Sequence, residues 1–269
     1  MMRVTWLGML TVTTAVTVAC AGTGAPGTGN GSGGPTTVPL SGPPTTTGPR
    51  AGAASVPSDR RVGAVFLGGT AIHTCTGAVL ASASGDLVLT AAHCLLDGVE
   101  TTFVPGFGAG AGDGWHVDTV YLDPRWITGQ DPQADYAIVR VSGDSGRSVQ
   151  SAAGGGLDLG SAPAAGTAVT VTGYPTGEGG TALGCRGITG WSPQGYPSVA
   201  CEGLTDGFSG APWVSGSTVT GLVGGLDGGG CDDDVSYSPR FDGQIAGVLA
   251  RAEAGGPGDA APAAFASDC

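Results

Sequence analysis

Charge is scarce in this chain: Asp, Glu, Lys and Arg make up 12% of 269 residues, with only 10 Lys plus Arg against 22 Asp plus Glu. The resulting net charge of −12 repels phosphate backbones and excludes nucleic acid as a partner. Histidine is scarcer still: His73, His93 and His116 are the three imidazoles available to any chemistry that needs one. No Cys-x-x-Cys pair occurs, which removes the usual signature of structural zinc. His73 and His116 have no ligand spacing to support a metal site and read as surface or strand residues. The expectation is a protein without metal or cofactor. Long apolar runs are missing too. The stretch 4–19 is diluted by threonines and too short and lightly flanked to span a membrane. No strand–helix alternation is visible, which argues against a parallel α/β fold.

Two features mark the start of the chain. Arg3 followed by the apolar stretch reads as an export signal over 1–20. The stretch ends in Val18-Ala19-Cys20, followed by Ala21-Gly22, which resembles the bacterial lipoprotein cleavage box, although Thr17 stands where that box usually has leucine. Cys20 is therefore a lipidation candidate, with ordinary cleavage nearby as the alternative. Cysteine arithmetic is compatible with lipidation: of seven cysteines, setting Cys20 aside leaves Cys75, Cys94, Cys185, Cys201, Cys231 and Cys269, an even number suited to an oxidising compartment. Residues 21–57 are Gly, Thr, Pro, Ser and Ala with almost no large apolar side chain. Such a segment buries too little surface to offset its ordering entropy, and reads as a tether or a propeptide.

The pattern changes at residue 58. Short β-prone runs occupy 62–67, 77–80, 87–90, 101–104, 115–122, 136–141, 168–172, 211–214 and 218–223, separated by glycine-rich or polar turns. The best helix is 244–254, with Ile245, Val248 and Leu249 at helical spacing. Many short strands and one late helix indicate an all-β barrel fold over 58–254, with 255–269 as a tail. About 195 residues lie beyond the tether, enough for one core or two small fused barrels. Trp115, Trp126, Trp191 and Trp213 read as core or cleft wall.

Three places carry chemistry. His93 ends the apolar run Leu89-Thr90-Ala91-Ala92-His93-Cys94. A Cys75–Cys94 disulfide would lock that turn to the neighbouring strand, and a general base needs such fixed placement. Ser209 lies in Gly207-Phe208-Ser209-Gly210-Ala211-Pro212, where flanking glycines permit unusual backbone angles and close substrate approach. The amides of Gly207 and Ser209 are placed to face one point, as an oxyanion hole requires. Asp135 opens the apolar run Asp135-Tyr136-Ala137-Ile138-Val139, near enough to the core to accept the second N–H of His93. Asp123 and Asp131 are rival acids, but neither directly precedes such a strand.

Together these three segments resemble the trypsin/chymotrypsin superfamily in order and interval, over roughly 61–254. The likeness is greatest to bacterial extracellular members related to glutamyl endopeptidases and small actinobacterial trypsin-like proteases. It implies a double six-stranded antiparallel β-barrel with a C-terminal helix, a catalytic triad of His93, Asp135 and Ser209, and a polypeptide substrate. It also implies a secreted or surface-anchored serine endopeptidase, expected as a monomer. The other reading is an inactive protease-fold binding protein at the cell surface.

Several positions depart from the family pattern. Phe208 replaces the aspartate that pairs with a new N-terminus in the animal enzymes, so no animal-type activation switch is expected despite Arg60-Arg61-Val62-Gly63. Gly203 stands where trypsin-like enzymes carry a basic-selective aspartate, and no histidine follows His116 to serve as the glutamate-selective one. Gly203, Gly224, Gly225 and Leu226 are expected to bind substrate; Asp227 and Asp232 to Asp234 read as a solvated acidic loop, with acid near the rim as the alternative. Cys185–Cys201 would close the loop before the serine turn, and Cys231–Cys269 follows by elimination.

Overall fold

The computed structural model describes residues 51–108, 113–232 and 234–265. Its strands are β1 (Ala54–Ser55), β2 (Val62–Leu67), β3 (His73–Val79), β4 (Leu87–Thr90), β5 (Thr101–Pro105), β6 (Trp115–Leu122) and β7 (Ala137–Ser142) in the first half. The second half holds β8 (Asp158–Leu159), β9 (Ala168–Gly173), β10 (Leu183–Trp191), β11 (Pro197–Ala200), β12 (Pro212–Ser215), β13 (Thr218–Leu222) and β14 (Val235–Tyr237).

The first half closes on itself. Strands β2-β3-β4-β7-β6-β5 form a barrel, sealed by antiparallel pairing of β5 with β2. Leu80, Leu87, Leu89, Phe103, Tyr121, Leu122 and Ile138 fill its core. The second half is a sheet ordered β14-β11-β10-β9-β12-β13-β8, with β1 added to β10. The expectation of two closed six-stranded antiparallel barrels is thus met by the first; the second is open, and its β8–β13 pair is parallel. The edge strands explain the opening. β8 has two residues and β14 three, too few ladder bonds to close a barrel.

The strands that the sequence hid have a common cause. β10 carries Gly184, Gly187 and Gly190, which read as turn residues. They are glycines because neighbours press on the backbone: a Cβ on Gly187 would lie 2.4 Å from Val199 Cγ2, and one on Gly184 2.8 Å from Val56 Cγ1. β1 comes from the segment expected to be a tether; there Ala53 N–H donates to Glu202 O at 2.7 Å and Val56 N–H to Ala182 O at 3.0 Å.

Among the described residues three α-helices complete the fold: α1 (Pro124–Gly129), α2 (Val149–Ala153) and α3 (Gly243–Glu253). α3 starts where Asp242 caps Gln244 N–H at 2.8 Å and buries Ile245, Val248 and Ala252 against the first barrel. Disulfides join Cys75 to Cys94 and Cys185 to Cys201. Cys231 is disulfide-bonded, while Cys269, like Cys20, lies outside the described residues. Among the described residues no helix is long and apolar enough to cross a membrane.

Candidate active site

His93 sits in a single 3-10 turn, Ala92–Cys94, directly after β4. The Cys75–Cys94 disulfide ties that turn to β3. Its Nδ1 lies 2.8 Å from Asp135 Oδ2, and its backbone N–H donates to Oδ1 at 3.0 Å. Since a carboxylate only accepts, Nδ1 carries the hydrogen, and the neutral ring keeps Nε2 as its acceptor.

Asp135 reaches this position through another short turn, Pro132–Ala134, which Asp131 caps by accepting Gln133 N–H at 2.9 Å. The rival acids are engaged elsewhere. Asp131 is that cap; Asp123 caps α1 at Arg125 N–H and accepts Tyr136 Oη–H at 2.6 Å. Asp135 is 1% exposed. A third donor, the Gly225 amide, meets its Oδ2 at 2.8 Å. Burial alone would raise the carboxyl pKa, but the His93 ring and the two amides outweigh it and hold the group below the usual carboxylate range.

Ser209 stands on a turn built from glycines and one buried anchor. Phe208 is fully buried among Val169, Val171, Val199, Ala211, Trp213 and Val223. An apolar plug therefore fills the place of an aspartate. Gly207 (φ +94°) and Gly210 (φ +83°) are in backbone regions that side chains avoid, and both are crowded. A Cβ on Gly207 would lie 2.3 Å from Thr176 N, and one on Gly210 2.2 Å from Thr76 O. Among the described residues no carbonyl accepts from the Gly207 or Ser209 amide.

Thr76, on β3 of the first barrel, holds this turn. Its N–H donates to Ser209 O at 2.8 Å. Its hydroxyl donates to Gly207 O at 2.8 Å and accepts from Tyr174 N–H at 3.0 Å. Nothing in the local sequence around Thr76 signals this; it follows from the register of β3 against the serine turn.

His93 and Ser209 line one cavity of about 670 Å³, with Leu204, Asp206, Val223, Asp227, Gly228 and Phe265. The residues expected to bind substrate fall beside its wall. Gly203 packs toward Ala53, Gly224 N–H donates to Tyr237 O at 3.1 Å, and Gly225 serves Asp135. Leu226 opens a 3-10 turn; the lining comes from the neighbours Leu204, Val223 and Asp227. His73 is not at the surface: it is fully buried on β3. Trp115, Trp126 and Trp213 are buried, and Trp191 is 40% exposed under the Arg240 guanidinium. The sulfurs of Cys75 and Cys94 lie near His93, but their disulfide removes them as metal ligands.

A family model described as trypsin-like peptidase domain matches residues 75–224. No match emerges among curated proteins. Among solved structures, the protease Anisep from Arthrobacter nicotinovorans aligns at 24% identity and TM-score 0.65, over 75% of this chain and 99% of that one. A Glu endopeptidase aligns at 16% identity and TM-score 0.61, over 76% and 97%. Human heparin binding protein aligns at 18% identity and TM-score 0.56, over 78% and 99%. At these identities the structures speak for the fold; the family match, spanning more than half the chain, makes it a member of the trypsin-like peptidase family, a serine endopeptidase by class.

Proposed function

We propose that this protein cleaves peptide bonds with Ser209 as nucleophile, His93 as general base and Asp135 as the group that orients the imidazole and stabilises its charged form. The observation that carries this is the 2.8 Å His93–Asp135 pair, opening on the same cavity as Ser209. Ser209 Oγ attacks the carbonyl carbon while His93 Nε2 takes its proton. Asp135 keeps the ring in the tautomer that leaves Nε2 free to accept, and stabilises the imidazolium. The Gly207 and Ser209 amides receive the developing oxyanion; one such donor is worth about 3 kcal/mol. His93 then gives its proton to the leaving amine, and water resolves the acyl-enzyme. A Glu endopeptidase shares the fold, but Gly203 and the absence of histidine after His116 leave neither known charge-selective device here.

The place of action is outside the cell. The signal-like 1–20, the cysteines paired in disulfides and the lipobox-like Cys20 support export, by secretion or by anchoring through Cys20. The alternative is an inactive binding protein; heparin binding protein shares the fold. A polyanion of that type suits a chain of net charge −12 poorly.

A fluorophosphonate probe tests the reading on oxidised, processed protein. Wild type labels covalently, and Ser209→Ala does not. Peptide hydrolysis falls in that variant by about six orders of magnitude. Absence of serine-dependent labelling in the wild type sinks the enzyme reading.

A further inference from the structure

Phe265 lies in the C-terminal segment that the sequence marks only as a tail. Its ring stacks on His93, with centroids 4.9 Å apart and planes 23° apart. On another side it meets Trp126 at 5.7 Å between centroids. On a third it faces the backbone of Gly228: a Cβ there would come 3.9 Å from the Phe265 ring. His93 belongs to the first barrel, Trp126 to α1 and Gly228 to the segment after β13. The ring therefore fills a slot with three walls, at the edge of the cavity that holds Ser209.

The chain is laid into this slot by specific bonds. Tyr121 Oη–H donates to Gly256 O at 3.0 Å. Asp259 N–H donates to Val120 O at 2.8 Å, and its carboxylate accepts Leu122 N–H at 2.8 Å and Arg251 at 2.9 Å. Farther along, Gln130 Nε2–H donates to Ala264 O at 2.8 Å, one residue before the ring. Residues 256–265 thus form a strap running along β6 and α1 to the cavity. Its bonds are backbone and partly exposed polar contacts, and its apolar contacts are limited to Ala261 and Phe265, each only partly buried against the core. Such contacts are individually weak and open readily.

We propose that the slot between His93, Trp126 and Gly228 is a subsite for an aromatic side chain of the peptide substrate, and that Phe265 occupies it as a built-in competitor. The proposal rests on the protease reading and names the substrate chemistry that reading leaves open. The slot offers one tilted indole, one imidazole face and a glycine floor, which together select a flat ring. A substrate bearing Phe or Tyr beside the scissile residue gains the contacts that Phe265 now makes, but only when the strap yields. Two aromatic contacts of this kind are worth about tenfold in affinity. Competition lowers apparent affinity by the fraction of molecules with an open slot.

The test compares wild type, Phe265→Ala and Gln130→Ala in the complete chain, with Ser209→Ala as control. The readouts are fluorophosphonate labelling rate and kcat/KM on matched peptides bearing Phe or Ala next to the cleaved residue. Phe265→Ala should label faster and raise kcat/KM for the Phe peptide about tenfold, through KM. The Ala peptide should gain less, and Gln130→Ala should shift in the same direction. Equal labelling and an unchanged or lowered kcat/KM in Phe265→Ala would overturn the proposal, because the ring would then be a fixed wall. If wild type shows Ser209-dependent labelling, the enzyme reading stands through that failure. If no variant labels, both fall together.

Discussion

Thr76 shows how much of this site depends on a residue without chemistry of its own. A single buried side chain joins the β3 backbone to Gly207 and Tyr174. Thr76→Val keeps the shape and β-propensity but leaves the Gly207 carbonyl and Tyr174 N–H unpaired in the interior. Each orphan costs about 1–3 kcal/mol, so the variant should lose roughly 2–4 kcal/mol in urea unfolding. Phe208 makes the complementary point. Its ring, packed so tightly that a Cβ on Gly173 would lie 2.6 Å from Cδ1, anchors the serine turn by burial. The anchor is apolar and fully buried, so it needs no charge partner.

Among the elements, the Cys75–Cys94 staple has the clearest measurable role, since it fixes the turn of His93 to the strand that carries Thr76. Replacing both cysteines by alanine should cost about 2–4 kcal/mol and lower the melting temperature, with a further loss of kcat as the His93 turn loosens. Calorimetry and initial rates check the two effects separately. The element scale also shows what the sequence reveals. β2, β4 and β6 occur at their expected limits because short runs rich in apolar and β-branched residues, bounded by turn residues, mark strands. β10 was illegible because its glycines answer to Val56 and Val199, residues far from it in sequence. α1 has a local signal, the cap Asp123 before Pro124. His93 and Asp135 were legible as partners through their motifs, whereas Gly225 and Phe265 reach the site only through tertiary folding.

At the scale of the whole molecule, buried ionisable groups set the response to acid. His73 is enclosed by Phe66, Phe107 and Tyr174, and burial lowers its pKa below the ordinary histidine value of about 6.5. The unfolded chain therefore takes up a proton near that pH that the folded protein refuses, and stability falls as the solution is acidified below it. The slope approaches about 1.4 kcal/mol per pH unit. Asp135 is shifted in the same direction, lowered by His93 and the two amides against the pull of burial, so its contribution is present above about pH 4 and is lost on further acidification. Melting temperature measured from pH 7 to pH 5 should fall, and His73→Phe should flatten that fall. Thr76 and Gly225 give the molecule a last property. The first barrel pins the serine turn through Thr76, and the Gly224–Gly225 segment beyond β13 pins Asp135 in return. A chain emerging amino-terminus first has His93 and Asp135 long before it has Ser209 or Gly225. With Ser209 as the proposed nucleophile, cutting ability would arrive only with this final docking event, and a half-finished molecule would be harmless to its neighbours.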